Sequence, residues 1–580
     1  MKHFLLTFTL TIFTFGAFAQ EKPAPKWLPK VQKSVYSVIT YDQHQEKLRE
    51  GVGFAVSADG ALVSDYATFL EAYSAVVIDA TGSKYDVERI LGADDLYGLV
   101  RYRIANKKTT PLPLANPASA NSGAEVVSIG YIKGKVNVVP KSTIIKKEMV
   151  DSKYGYYTLA NEFDGKQVGK GAFNANGELL GVILSPVDGK NGVIDAAMGR
   201  DLNLGALQSK SSSLAYNKIY IKKGIPDSPE EGLIYLYMKS RTAGNDEYMD
   251  LVNLFVSTFP ENAEGYLRRA TPLIDLERFD EAEQDLQTYL RLVTDKNQGN
   301  NNVAKTIYSK LVYQPEPEYP KWNYDVALGY SDKAIEGQRQ KAAAETDADK
   351  KVMEEVSLVE YQLQKAQILS TKGDNQGALA IYDEVNAGKY KAPGTFLAAS
   401  MAHEALGDTI DTQIALMDSA IAQFPDTLPL DAAGFVMRRA RLYEKARKFR
   451  QAVADFNTFA TINNDNLSAS FYYDRSQLEV QARMYQQALN DIDKAVEVAP
   501  NEPLYHVEKS AIHLRVNQLD ECIEAAKKCI DISKEYPDAY RILGYAQIQK
   551  GDKVAARQNL ERAKELGDET AQEIMDTFLK

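Results

Sequence analysis

The sequence predicts a multidomain chain: an all-β barrel region followed by an all-α superhelix of paired helices. Three observations predict it. Residues 31–205 alternate short β-type runs with Gly and Asp turns, the apolar period becomes helical from about residue 231, and small residues in that helical part recur every 34 positions.

The β region carries the runs SVYSVITYD, GVGFAVS, SAVVIDA, AEVVSIGYI, YGYYTLA and ELLGVIL. Strands at this spacing, with no long helical pattern between them, argue for a barrel or sandwich. Residues 206–230 (ALQSKSSSLAYNKIYIKKGIPDSPE) are polar and rich in Ser, Lys and Pro, and read as a linker.

Downstream, Ala488, Cys522 and Ala556 are 34 residues apart, as are Ile492, Ala526 and Leu560, then Ala495, Cys529 and Ala563, and finally Ser476, Ser510 and Gly544. A small residue in the first helix of a pair lets the second approach closely, and large apolar residues fill the layer between pairs. This period is similar to that of the tetratricopeptide (TPR) repeats. The resemblance covers most of residues 231–580 and implies about eight or nine hairpins. Residues 296–355 interrupt it with a polar run (DKNQGNNN), a Pro/Tyr/Trp segment and a charged run, and read as one degenerate hairpin with long or extra helices.

Composition narrows the function. The chain has 580 residues, 44% hydrophobic and 25% charged, enough to bury a sizeable core. A net charge of −11 and a pI near 5.3 argue against nucleic acid as a partner, because phosphate binding needs a basic face. The first residues read as an export signal: Lys2, an apolar stretch from Phe4 to Phe18, and a small-x-small site at Ala17-Phe18-Ala19. That stretch falls short of the roughly 20 residues of a spanning helix. Domain organisation is therefore a signal peptide over 1–19, a Pro-rich lead-in over 20–30, the β domain over 31–205, the linker over 206–230 and the repeats over 231–580. The expected location is periplasmic or secreted, with no membrane span after cleavage near Ala19.

Within the β region, EGVGFAVSADGALVSDY (50–66) is similar to the start of trypsin-like serine proteases of the HtrA-like type, where a Gly-x-Gly-Phe strand leads to the catalytic histidine. GADDLYGLVRYRI resembles the strand that begins at the catalytic aspartate, and FNANGELLGV the segment after the nucleophilic serine. The resemblance spans about 31–205 and implies a two-barrel domain. It places Ala67 where the family has histidine, Gly98 where it has aspartate and Val168 where it has serine. Gly171 stands where proline usually follows the serine. A serine hydroxyl needs an adjacent base, and the base needs a carboxylate to hold its tautomer. Alanine, glycine and valine supply none of these, and loss of even one member costs on the order of 10⁴–10⁶ in rate. The expectation is a pseudoprotease with no catalytic residues. His44, the only histidine in the β domain, sits in a polar turn, and Asp94 and Asp95 read as turn residues. The remaining glycines Gly51, Gly53, Gly177 and Gly181 read as barrel packing, and the vacated cleft as a possible holder of an extended peptide.

No cofactor and no metal is expected. His506, His513, Cys522 and Cys529 share one hairpin, but each pair is seven apart and cannot converge on one zinc ion. The cysteines lie about 10.5 Å apart along a helix axis, beyond the reach of a disulfide. The TPR resemblance implies an inner groove lined by Met437, Arg441, Tyr473, Gln477, Val507, Leu514, Arg541 and Tyr545, a mixed surface suited to a protein or peptide partner. The expected function is an exported scaffold. An active peptidase with displaced catalytic residues and a holdase chaperone are the alternatives, and the oligomeric state stays open.

Overall fold

A computed structural model describes residues 25–106, 108–132, 135–160, 168–187, 190–204, 215–464 and 466–580. The expected signal peptide and the start of the lead-in lie outside the described residues. The chain divides into two compact units, Met1–Val293 and Thr294–Lys580.

The first unit opens with a double β-barrel. Strands β1 (Val35–Tyr41), β2 (Lys47–Ala55), β3 (Ala61–Asp65), β4 (Ser74–Ile78), β5 (Lys84–Asp94) and β6 (Leu99–Ile104) close an antiparallel barrel in the order β1-β2-β3-β6-β5-β4. Strands β7 (Glu125–Ile132), β8 (Lys135–Val150), β9 (Tyr154–Leu159), β10 (Gly171–Phe173), β11 (Leu179–Val187) and β12 (Lys190–Asp195) close a second. Read from β7, the second order is β7-β8-β9-β12-β11-β10, so the two barrels share one topology. Closure removes the free edges that an open antiparallel sheet would leave unpaired.

Alternating side chains give each barrel its own interior. Val38, Leu62, Val77, Ile90, Val100 and Tyr102 fill the first, and Val126, Ile144, Tyr157, Leu180 and Val193 the second. A third cluster joins them: Phe54, Val63 and Leu99 meet Ile129, Phe173, Val182 and Ile194. Phe54 and Phe173 pack edge to face with centroids 6.3 Å apart, and the Tyr131 hydroxyl donates to the Val35 carbonyl at 2.9 Å.

The stretch expected to be a linker is bound to the first barrel over its described part. Ala215, Ile219 and Ile221 are buried in that barrel's core, and the Ile90 N–H donates to the Lys222 carbonyl at 2.8 Å. The Ile-Tyr-Ile alternation of a strand lies hidden there among Ser, Lys and Pro. Two arginines then tie barrel to helix. Arg89 donates twice to Asp250, at 2.7 and 3.0 Å, on the helix Asn245–Thr258, and Arg101 reaches Asp227 at 2.6 Å.

Helical hairpins fill the rest of both units. The positions that recur every 34 residues are the buried ones: Ala488, Cys522 and Ala556, then Ala495, Cys529 and Ala563, have no exposed surface. Residues in the left-handed region end the first helix of successive pairs at Arg447, Arg483, Asn517 and Gly551. A repeated ion pair adds to the apolar layers. An arginine of the first helix grips an aspartate 16 residues on in the second: Arg269 with Asp285 (2.7 Å twice), Arg439 with Asp455 (2.6 and 2.9 Å) and Arg475 with Asp491 (2.7 Å for Nη2). Residues 296–355 hold long helices, Lys296–Tyr313 and Tyr324–Ala344, followed by Ala348–Lys372. Among the described residues no helix is long and apolar enough to cross a membrane.

Candidate functional site

The three barrel segments singled out in the sequence meet around one carboxylate, Asp65. This residue ends β3 and caps the short helix Tyr66–Phe69, its Oδ2 accepting from the Thr68 N–H at 3.2 Å. Ala67 lies on that helix with its methyl exposed. Gly98 begins the approach to β6: its carbonyl accepts from the Tyr66 N–H at 2.9 Å, and Asp65 pairs with Leu99 across the sheet. A Cβ at Gly98 would lie 3.9 Å from Asp65 Oδ1 and 3.4 Å from Leu184 Cδ2. Val168 is half-buried in the turn before β10, and a Cβ on its neighbour Gly169 would come within 3.1 Å of Asp65 Cβ. Both glycines have positive φ, +63° and +80°, which L side chains rarely adopt. Most of the loop leading to Val168, residues 161–167, lies outside the described residues.

Asp65 is half-buried, and desolvation lifts its pKa above the ordinary carboxylate value, against hydrogen bonds from Thr68 and Ala67 and the charge of Arg49. The hydroxyl nearest to it is spoken for. Thr68 Oγ1 sits 3.4 Å from Asp65 Oδ2, while the Thr68 carbonyl accepts from Thr40 Oγ1 at 2.9 Å. Sequence reading passed over Asp65 although Asp-Tyr-Ala-Thr carries the spacing of a helix cap. Of the other polar candidates, His44 and Asp95 lie in turns and Asp94 closes a strand. His44 is exposed between β1 and β2, its Nε2 3.0 Å from the Gln43 amide. Asp94 is buried at the end of β5, accepts from the Tyr97 N–H at 2.8 Å, and is raised in pKa by that burial. Asp95 faces Lys218 at 3.7 Å.

In the helical part, the eight residues expected to face a groove divide in two groups. Arg441 binds Glu444 (3.0 Å) and Asp474 (2.6 Å), and Arg541 binds Asp568 (2.6 Å) as well as Asp538. Val507 is buried with Leu514 packed beside it, against Cys522, Cys529 and Ile542, and Met437 packs on the cluster of Ala440 and Phe456. Those five hold helices together. Tyr473 and Tyr545 are half-buried and touch Tyr505 and Phe578 with centroids 5.5 and 5.7 Å apart. Gln477 Nε2 is buried without a hydrogen-bond partner. The histidines are anchored locally, His506 Nε2 to the Pro500 carbonyl and His513 Nδ1 to Gln518 Oε1, each at 2.8 Å. Burial pushes the Cys522 thiol up to about 12 and that of Cys529 to about 11, so both stay protonated and inert.

No family model matches the chain. One stretch of 162 residues, 27% of the chain, is 27% identical to the anti-sigma-I factor RsgI9 of Acetivibrio thermocellus and covers 22% of that protein. Another, of 91 residues and 16% of the chain, is 25% identical to the small glutamine-rich tetratricopeptide repeat-containing protein 2 of Saccharomyces cerevisiae and covers 26% of it. The chain thus spans about a quarter of the length of these relatives. What the fold defines is a double β-barrel followed by a helical repeat array.

Proposed function

We infer that this chain is an exported scaffold, a trypsin-like barrel pair that has lost its triad joined to a TPR array that holds protein partners. The observation that carries the reading is the meeting of the Ala67, Gly98 and Val168 segments around Asp65. In the trypsin-like family those three segments bring imidazole, carboxylate and hydroxyl together, and here the corresponding side chains can neither take a proton nor attack a carbonyl. The matched topology of the two barrels supports the resemblance read from GVGF and NANGELLGV. The helical pairs, with their 34-residue recurrence and the likeness to a TPR-containing yeast protein, support protein binding.

Cross-linking in intact cells followed by pull-down of the full chain tests the binding role. A scaffold gives one or two partners in stoichiometric amounts. Recovery of many unrelated unfolded proteins in small amounts, with suppression of their aggregation in solution, would contradict it in favour of a chaperone. Sequencing the N-terminus of protein recovered from cell fractions tests export. The reading expects Gln20 as the first residue, outside the cytoplasm, and an intact Met1 in the cytoplasm would overturn it.

A further inference from the structure

The repeated Arg–Asp pair is broken in one hairpin, and a cavity stands at the break. Where the pair is present, the arginine has two partners. One is the aspartate 16 residues on; the other belongs to the preceding helix, Asn253 for Arg269 (3.1 Å), Asp418 for Arg439 (2.8 Å) and Asn457 for Arg475 (3.0 Å). In the hairpin of Pro503–Arg515 and Leu519–Ile532 the cation is Lys509, and its partner on the preceding helix is kept, Asp493 at 2.7 Å. The aspartate is not kept: Ala525 stands in its place. Lys509, Asp493 and Ala525 all line a cavity of about 560 Å³. The alanine methyl leaves open the space that a carboxylate fills in the other hairpins, and Asp493 answers only part of an ammonium that has three N–H donors.

Two histidines complete the wall. His506 and His513 lie three residues before and four after Lys509, on the same helix face, and line the same cavity. The Pro500 carbonyl accepts from His506 Nε2, and Gln518 Oε1 from His513 Nδ1, each at 2.8 Å. That leaves His506 Nδ1 and His513 Nε2 as acceptors in the neutral rings. The residues are only 6% and 8% exposed, yet neither of these nitrogens is closed to solvent. The rings are seven residues apart, about 10.5 Å along the helix axis, with Lys509 between them. At the rim, Glu521, Glu524 and Asp531 are exposed beside Lys527 and Lys528. Three acids against two bases leave the rim close to neutral, so the choice of ligand falls to the wall.

A carboxylate placed where other hairpins have Asp285, Asp455 and Asp491 would restore the pair at Lys509. A simple carboxylate leaves both ring acceptors unmet. An acidic side chain on a peptide does not, because backbone N–H groups lie on either side of it. Three residues of extended chain span about 10 Å, which matches the separation of the two rings. We propose that this cavity takes an acidic side chain of a partner protein, presented on an extended segment. Its carboxylate sits on Lys509 against Ala525, and its backbone N–H groups donate to His506 Nδ1 and His513 Nε2. The volume falls in the range of ligand sites. The inference rests on the partner-holding reading above, for which it names one point of contact and the chemistry that fits it.

Calorimetric titration of the full chain with acetyl-Ala-Asp-Ala-amide tests it, beside the same peptide with Asn for Asp and beside succinate. The Asp peptide should bind at one site, and the Asn peptide and succinate should each bind about tenfold more weakly. Lys509→Gln should remove the difference between the Asp and Asn peptides. Ala525→Asp combined with Lys509→Arg installs the repeated pair, fills the cavity from within and should abolish binding with circular dichroism unchanged. No binding of the Asp peptide at millimolar concentration, equal binding of the Asp and Asn peptides, succinate binding as tightly as the Asp peptide, or either variant binding like the parent would each overturn the proposal. The pull-down repeated with the double variant separates this site from the scaffold reading. Loss of a partner supports the site, whereas partners recovered equally by parent and variant would overturn it and leave the scaffold reading standing.

Discussion

Glu479 offers the sharpest test of how the helical array is held together. It lies in the helix Ala469–Gln481, is only 4% exposed, and its Oε2 has no hydrogen-bond partner. Arg475 beside it is already committed to Asp491 and to Asn457, so Glu479 adds a second carboxylate to a pair that is neutral without it. Burial and the Asp491 charge raise its pKa to about 8, with Arg475 opposing. The folded chain therefore holds a proton on Glu479 that the unfolded chain releases above its ordinary value of about 4.3. Stability is fully present below that value and falls as pH rises towards 8, by on the order of 1 kcal/mol per pH unit, and levels off above. Glu479→Gln keeps the shape of the protonated acid and removes the titration. At pH 7 it should stabilise this hairpin by about 1–3 kcal/mol, with the upper figure a full-burial limit. Hydrogen exchange of amides in residues 469–498, followed from pH 5 to 8 with correction for intrinsic rates, reads the local opening energy. The parent should lose protection as pH rises, and the variant should be flat. A variant less stable than the parent at pH 7, or one that keeps the same pH slope, would refute the reasoning.

Two further outcomes follow from the packing. The Arg–Asp pair recurs at a separation of 16 residues, but in the hairpin 503–532 its places hold Lys509 and Ala525, and Lys509 turns instead to Asp493 at 2.7 Å. Ala525→Asp alone should destabilise that hairpin, and Lys509→Arg added to it should recover about 1–3 kcal/mol, measured as the coupling in a double-mutant cycle of denaturation; zero coupling would show that the repeated pair has no energetic meaning. Ile219→Ala should lower the stability of the double barrel by about 2–5 kcal/mol, because it opens a cavity in the first barrel's core; a thermal melt of that region unmoved by the change would show that residues 215–225 are a tether.

Much of the fold was legible because its signals are local. Alternation in SVYSVITYD and SAVVIDA is set by the two-residue strand period, and those runs are β1 and the body of β4. The recurring Ala, Cys and Ser are small because two helices touch there, so spacing alone located the buried layer. What escaped the reading depends on pairing between distant residues. The strand-like Ile219 and Ile221 find their partner at Ile90, more than a hundred residues earlier, which no window of sequence contains. Nothing local to Arg441 or Arg541 announces Asp474 and Asp568, which the fold brings up to them. Asp65 carries a local signal, its cap to Thr68, but its place between Gly98 and Gly169 comes from the docking of two barrels. The run DKNQGNNN has the composition of a loop, yet it opens the helix Lys296–Tyr313, whose first N–H groups are capped by the Asp295 carboxylate.

The central claim is that the barrels bind and do not cut, and incubation of the purified full chain with unfolded casein and a serine-directed phosphonate probe tests it most directly. The account predicts no cleavage and no label, since the positions at Ala67, Gly98 and Val168 supply neither base nor nucleophile. Hydrolysis that survives repurification and is lost on replacing a single barrel residue would contradict it.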